Sequence, residues 1–229
     1  MMDSQIAIFT DRQVRDRVFC RGCEELQNKN GEAWVLRNCY RHDEGFALKE
    51  ILIGARPVYS DQDLTYYTTS NVSGVDSPKS AYFGLSMFFR ADVHEWRAGK
   101  SAPARIRLGA EYADEIRKYL LREIPFPKNA VLCINVVTDD RLAESLWFPH
   151  GGRVQNYWRY DFVFMGLIFT LFVGLLIPQE LQRLCFVRSP EHYIGMSKIA
   201  DDMIFSDAAR LQTQSKPVGA LKSWVNKTP

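Results

Sequence analysis

The sequence predicts an α+β protein with a helical N-terminal half, a mixed or antiparallel β-rich region and a C-terminal helix. Its 229 residues are 46% apolar and 24% charged, which is typical of a globular domain rather than a disordered chain. Apolar side chains recur at helical spacing before residue 125, whereas runs rich in β-branched residues follow residue 130. We therefore expect one domain over 1–212, with a helical part at 10–125, a β-rich part at 130–195 and a polar tail at 213–229.

Apolar residues spaced three and four apart predict five helices in the first half, at 11–27, 31–42, 46–53, 79–98 and 110–123. The segment Thr10–Gln13 has the form of a capping box, and Pro78 suits the first turn of the fourth helix. The polar run 28–31 predicts a turn between the first two helices.

Strands are predicted at 64–69, 130–137 and 154–160, where β-branched and aromatic residues are concentrated. The glycine pair in Pro149–Gly152 favours a hairpin turn. A closing helix is predicted over 197–212.

The run 162–177 contains a single polar residue, Thr170, and allows two interpretations. As a helix it would be about 24 Å long, whereas a membrane span needs about 30 Å. It is rich in β-branched and aromatic residues, which favours two buried strands meeting near Phe169–Thr170 or at Gly166. A single membrane span or a membrane dip is the alternative.

Charge and cysteine content indicate which binding partners and which cellular compartment to expect. Lys and Arg number 29 against 27 Asp and Glu, so the net charge of +2 gives no general argument for nucleic acid or an anionic membrane. Five cysteines and an N-terminus without a basic, then apolar, leader predict free thiols in the cytoplasm.

The first candidate site has the spacing C-x2-C-x15-C-x2-H, formed by Cys20, Cys23, Cys39 and His42. Thiolate and imidazole ligands at such spacings suit tetrahedral zinc. A helical break at Gly22 would form a metal-binding knuckle, whereas a continuous helix would leave Cys20 and Cys23 as neighbours on one face. In the simplest alternative, Cys39 is a core thiol and His42 a solvated loop residue.

The segment Phe19–Glu25, with Cys20-Arg21-Gly22-Cys23-Glu24 at its centre, resembles the second half of a bacterial group of HNH-like, treble-clef zinc proteins. The similarity continues at 28–36, 82–96, 108–109 and 185–192. The resemblance implies a zinc knuckle and an association with nucleic-acid metabolism.

The chain departs from that group in its first nineteen residues, which contain neither cysteine nor histidine. The group's upstream Cys-x-x-Cys pair and its Ser-His segment are therefore missing. A metal nuclease needs a histidine base and a divalent ion beside the scissile phosphate. We expect that a partner supplies this half, that it has been lost, or that the gene begins further upstream.

The second candidate site is the set Ser86, Arg90 and His94, spaced four apart on the predicted helix 79–98. Such a stripe can bind phosphate through Arg90 and use His94 as acid or base. The alternative is structural, with Arg90 paired to Glu24 or Glu32 and His94 near the end of the helix.

Three further features are weaker candidates for a functional site. Asp139–Asp140 after a predicted strand suits either Mg²⁺ or an ordinary turn, and Pro149–Gly152 suits either phosphate or a hairpin. His192 is expected in a surface turn.

The sequence thus favours an accessory binding or assembly protein of bacterial or phage nucleic-acid metabolism or defence, with a degenerate zinc knuckle at Cys20 and Cys23. Its expected partners are nucleic acid or a protein that completes the half-site, and its possible cofactor is zinc. The alternatives are a metal-dependent HNH-like nuclease or phosphodiesterase and a membrane-associated effector acting through 162–177.

Overall fold

The computed structural model of the chain describes residues 18–96, 106–138, 143–187 and 192–197. A helical N-terminal region precedes and packs on a mixed seven-stranded sheet, which confirms the α+β class. The expected capping box at Thr10 and the acidic pair Asp139–Asp140 lie outside the described residues. The closing helix predicted over 197–212 lies outside them too, except for Ser197, which is in a strand.

The first helical region is continuous. Helix α1 (Arg21–Gln27) passes through a π-helical segment, Asn28–Glu32, directly into α2 (Ala33–Asn38). The predicted turn at 28–31 is therefore wrong. The helix predicted over 31–42 is helical over 31–38, but it is not separate from the first helix and it ends at Asn38. Gly31 does not form a turn; it permits close packing, because a Cβ there would lie 2.7 Å from the backbone oxygen of Lys79.

The other predicted helices of the first half are confirmed, with small shifts at their ends. They are α3 (Ala47–Ile53), α4 (Ser77–Val93) and α5 (Ala110–Leu120). Helix α4 is capped by Asp76, whose carboxylate accepts the backbone N–H of Lys79 at 3.0 Å, and Pro78 lies in its first turn.

A short antiparallel pair, β1 (Tyr40–Arg41) and β2 (Gly45–Phe46), stands apart from the large sheet. The strands of the large sheet are β3 (Tyr59–Ser60), β4 (Leu64–Thr68), β5 (Ala130–Val137), β6 (Leu146–Val154), β7 (Tyr157–Phe164), β8 (Leu167–Val173) and β9 (Tyr193–Ser197). Their order is β3-β4-β9-β5-β8-β7-β6, and β5 and β9 run parallel while the other neighbours are antiparallel.

The predicted strands at 64–69 and 130–137 are confirmed, and the strand predicted at 154–160 is found with shifted bounds, as β7 from Tyr157 to Phe164. The chain turns at Gln155–Asn156, where Gln155 adopts a left-handed φ of 52°, and this turn joins β6 to β7. The glycine pair Gly151–Gly152 lies inside β6 and not in the predicted hairpin turn. A Cβ at Gly151 would clash with the backbone of Arg159 on β7, so the glycine serves close strand approach.

The apolar run 162–177 forms the end of β7, a turn at Met165–Gly166 and the whole of β8. This confirms the interpretation of two strands meeting at Gly166, whose φ of 83° suits a residue without a Cβ. Phe162 stacks on Phe169 across the hairpin, with ring centroids 4.6 Å apart. Within the described ranges, no helix has the length and apolar character needed to cross a membrane.

The main core lies between α4 and one face of the sheet. Phe83 of α4 contacts the rings of Phe162, Phe164 and Phe169, and Gly84 allows the helix to approach Phe169. On the opposite face, α6 (Gln179–Arg183) and the residues beside it cover a smaller apolar cluster. Helix α4 therefore packs on the sheet through Phe83 and contacts the start of α1 through Phe89 and Arg90.

Candidate thiol site at the start of the first helix

Cys20 and Cys23 form the first turn of α1. Cys20 is the N-cap residue, with an extended backbone, and its carbonyl oxygen accepts the N–H of Glu24 at 3.0 Å. Gly22 is helical, so the chain does not break there into a knuckle turn, but the helix begins only at Arg21. The helix predicted over 11–27 is therefore wrong at residues 18–20. Cys20 is exposed and Cys23 is partly buried, and both are free thiols.

The two sulfur atoms interact, and their acidities diverge. The pKa of Cys20 is lowered because its sulfur accepts a hydrogen bond from the backbone N–H of Cys23 and a second from the Cys23 thiol. The pKa of Cys23 is raised, mainly because its own thiol donates to Cys20 and favours the protonated form. The exposed sulfur is therefore the preferred thiolate of the pair.

The segment that carries these thiols is anchored to α4. The Phe19 ring stacks on Phe89 at a centroid distance of 6.0 Å, and the Arg90 guanidinium lies 5.5 Å from the centre of the Phe19 ring. Arg90 also donates to the Glu24 carboxylate at 2.9 Å and to the side-chain oxygen of Gln27. The structure thus confirms the expected pairing of Arg90 with Glu24.

The second half of the C-x2-C-x15-C-x2-H pattern lies elsewhere. Cys20 and Cys39 cap opposite ends of the continuous helical region, which places them roughly 28 Å apart at 1.5 Å per residue. Cys39 is buried, which raises its pKa to about 11, and His42 is exposed beside Glu144. These four side chains therefore do not share one tetrahedral site.

Over the described ranges, no three side chains of the His, Cys, Asp and Glu types are grouped so that they could hold a metal ion. A metal bound at Cys20 and Cys23 would have two positions left for ligands from elsewhere, because zinc in structural sites takes four.

The set Ser86, Arg90 and His94 does not form the expected stripe. Ser86 is buried and its hydroxyl donates to the carbonyl oxygen of Phe83 at 2.8 Å, while Arg90 is occupied by α1. His94 follows the last residue of α4 in an extended conformation and packs edge-to-face against Trp96. The helix ends one residue too early for the four-residue spacing to apply to all three.

The structure also places His150 and His192, which belong to two of the weaker candidate sites. His150, beside the glycine pair, lies within β6, and its Nδ1 is 3.1 Å from the carbonyl oxygen of Phe148. His192 directly precedes β9 with a left-handed φ of 45°, and its carbonyl oxygen accepts the N–H of Thr69.

Sequence reasoning did not identify Phe19 and Gln27 as parts of this site. A signal for Gln27 was available, since it lies three residues after Glu24 and four after Cys23 on the same helical face. Phe19 had no local signal, because its role depends on Phe89, which is seventy residues further along the chain.

Comparison of the chain with protein-family models, with curated proteins and with solved structures finds no significant match.

Proposed function

We propose that the protein is a binding and assembly module of bacterial or phage nucleic-acid metabolism or defence, and that Cys20 and Cys23 provide half of a zinc site. A partner that supplies two further ligands completes the site. The observation that carries this proposal is the convergence of two thiols at an exposed helix start. Thiolates are favoured zinc ligands, and a reducing cytoplasm would keep both available.

The surroundings of the pair support a preorganised half-site. Before the pair in the chain, the Phe19 ring is held by Phe89 and by the guanidinium of Arg90. After the pair, Glu24 is held by the same guanidinium. A metal would therefore meet two sulfur atoms that are already positioned, so little ordering entropy is lost on binding.

The connection to nucleic acid rests on the resemblance of residues 19–25 and the later segments to the HNH-like group. It does not rest on charge, since the net charge is only +2. The role of the pair in this proposal is to join the chain to a second component, with zinc as the link.

Zinc titration of the reduced, full-length protein against a chelating indicator tests the half-site. We expect weak binding by the chain alone, lost in Cys20→Ser and in Cys23→Ser but kept in Cys39→Ala. Cys39→Ala is the matched control, because Cys39 would bind zinc only if Cys20, Cys23, Cys39 and His42 formed one site. Zinc uptake that survives Cys20→Ser, or none in the wild type, would contradict the proposal.

The mass of the zinc-loaded protein shows whether a second copy is the partner. A zinc ion shared by two chains would have four cysteine ligands and give a dimer with one zinc for two chains, which separates again in Cys23→Ser. A monomer at full zinc occupancy would instead assign the other ligands to a different molecule.

Fluorescence anisotropy with labelled single- and double-stranded oligonucleotides tests the nucleic-acid part separately. We expect the zinc-loaded assembly to bind, with an affinity that falls as salt increases because phosphate contacts release counterions. Zinc binding without any oligonucleotide binding would disprove the nucleic-acid role and leave the half-site intact.

A further inference from the structure

The two thiols at the start of α1 have the geometry of a pair that can form a disulfide. They are three residues apart on one helical turn, where ideal helix geometry places Cα atoms about 5 Å apart. Disulfides join Cα atoms that are about 4.4–6.8 Å apart. Because the Cα separation already lies in this range, closure needs side-chain rotation and no movement of the backbone.

The pair is also asymmetric in the way that exchange chemistry requires. Cys20 is exposed, so a disulfide in solution can reach its sulfur. Cys23 is partly buried beside it, so it is placed to act second. A disulfide that approaches from solution therefore meets Cys20 first.

We propose that Cys20 and Cys23 are a thiol–disulfide exchange site whose substrates are accessible disulfides, such as glutathione disulfide or an exposed disulfide of another protein. This inference goes beyond the proposed zinc half-site and needs no metal, although it uses the same sulfur atoms. Oxidation of the pair would remove both metal ligands.

The exchange proceeds in two balanced steps. The Cys20 thiolate attacks one sulfur of the substrate, so a mixed disulfide forms while the substrate S–S bond breaks, and the leaving thiolate takes a proton from water. Cys23 then loses its proton to solvent and attacks the Cys20 sulfur, which forms the Cys20–Cys23 disulfide and releases the second substrate thiol. The protein gives up two electrons and the substrate disulfide becomes two thiols.

The remaining cysteines of the chain serve as internal controls. Cys39 and Cys185 are buried, and burial also raises the pKa of Cys133, whose thiol donates to the carbonyl oxygen of Leu184. Burial raises the pKa of Cys39 to about 11, so very little of this thiol is ionised at neutral pH. Because Cys39 is buried and protonated whereas Cys20 is exposed, we expect Cys20 to react at least about tenfold faster.

The test uses the full-length, chelator-treated, reduced protein in glutathione buffers of increasing oxidised fraction. Thiols are trapped by alkylation and located by peptide mass. We expect an internal Cys20–Cys23 disulfide that appears reversibly, with Cys39 unchanged. Circular dichroism of the oxidised protein should match that of the reduced protein, because closure needs no backbone movement.

Two variants separate the steps. Cys23→Ser should accumulate one glutathione per chain on Cys20, whereas Cys20→Ser should take up none at Cys23 over the same time. Cys39→Ala should behave as the wild type. The inference is overturned if the wild type keeps a lasting glutathione adduct on Cys20, if both thiols stay reduced in fully oxidised glutathione, or if oxidation unfolds the protein. Because metal is absent, these outcomes are independent of those of the zinc titration.

Discussion

Gly31 offers a decisive test of how the π-helical segment is held against α4, because helix propensity and packing predict opposite signs for its replacement. In an exposed helix, Gly→Ala stabilises by about 0.8–1.0 kcal/mol. At Gly31, however, a Cβ would lie 2.7 Å from the backbone oxygen of Lys79 and 2.8 Å from the backbone nitrogen of Phe83. These atoms belong to α4, so the two helices must move apart to admit a methyl group.

The expected magnitude follows from the balance of the two effects. Forcing an extra carbon against packed backbone costs about 1–3 kcal/mol and more when nothing flexible can yield, so packing exceeds propensity. We expect Gly31→Ala to lose about 2 kcal/mol of unfolding free energy, which lowers the melting temperature by about 4–8 °C for a chain of this size.

Gly22→Ala is the matched control for this prediction. It makes the same chemical change in the same continuous helical region, yet nothing lies within 4 Å of a Cβ at Gly22. We expect its stability to rise by up to about 0.5 kcal/mol, since propensity counts for less in a first turn. Both variants are measured by urea denaturation followed by circular dichroism. Equal effects of the two substitutions, or a more stable Gly31→Ala, would refute the packing explanation.

Two further substitutions test polar contacts by the same denaturation assay. Glu24→Ala should cost about 1 kcal/mol of unfolding free energy, less than the several kcal/mol expected for a fully buried pair, because the Glu24 side chain is 44% exposed and Gln27 still accepts from Arg90. This cost should largely vanish in an Arg90→Met background. An undiminished cost there would argue against the pairing. Thr170→Val should cost about 1.5–3 kcal/mol, since the hydroxyl donates to the buried Asp161 carboxylate at 2.6 Å. Thr68→Val is the control and should be neutral or stabilising, because the buried Thr68 hydroxyl has no hydrogen-bond partner in the described part of the chain. Similar losses of stability in the two valine variants would show that the hydrogen bond to Asp161 does not cause the loss.

The candidate site shows how far local reasoning reaches. The Cys-x-x-Cys spacing identified Cys20 and Cys23, and four-residue helical spacing placed Ser86 and Arg90 on one helix. Sequence reasoning offered pairing of Arg90 with Glu24 or Glu32 as the structural alternative, but spacing alone did not decide between that pairing and phosphate binding. The observed pairing depends on Glu24, which is 66 residues away along the chain.

The pairing of Cys20 with Cys39 illustrates the converse error. A ligand spacing of fifteen residues is compatible with a turn between the two cysteines and also with a straight helix. The polar residues 28–31 favoured the turn, yet the π-helical segment extends the helix and separates the cysteines by roughly 28 Å. Local propensity is weak here, and the contact of Gly31 with α4 decides the outcome.

The sequence by itself determined the elements whose periodicity is strong and whose ends are marked by glycine, proline or a capping residue. These include α4 and the strand β5, each marked by its own pattern of apolar residues. For the run 162–177 the sequence favoured two strands, and the tertiary structure decided that they meet at Gly166. Only the tertiary structure decided where weaker patterns begin and end, as at Gly31 and Gly151, since a glycine that permits close backbone contact has the same sequence signal as one that forms a turn. The reason is physical: a turn depends on neighbours along the chain, whereas close packing depends on a partner that folding alone brings near.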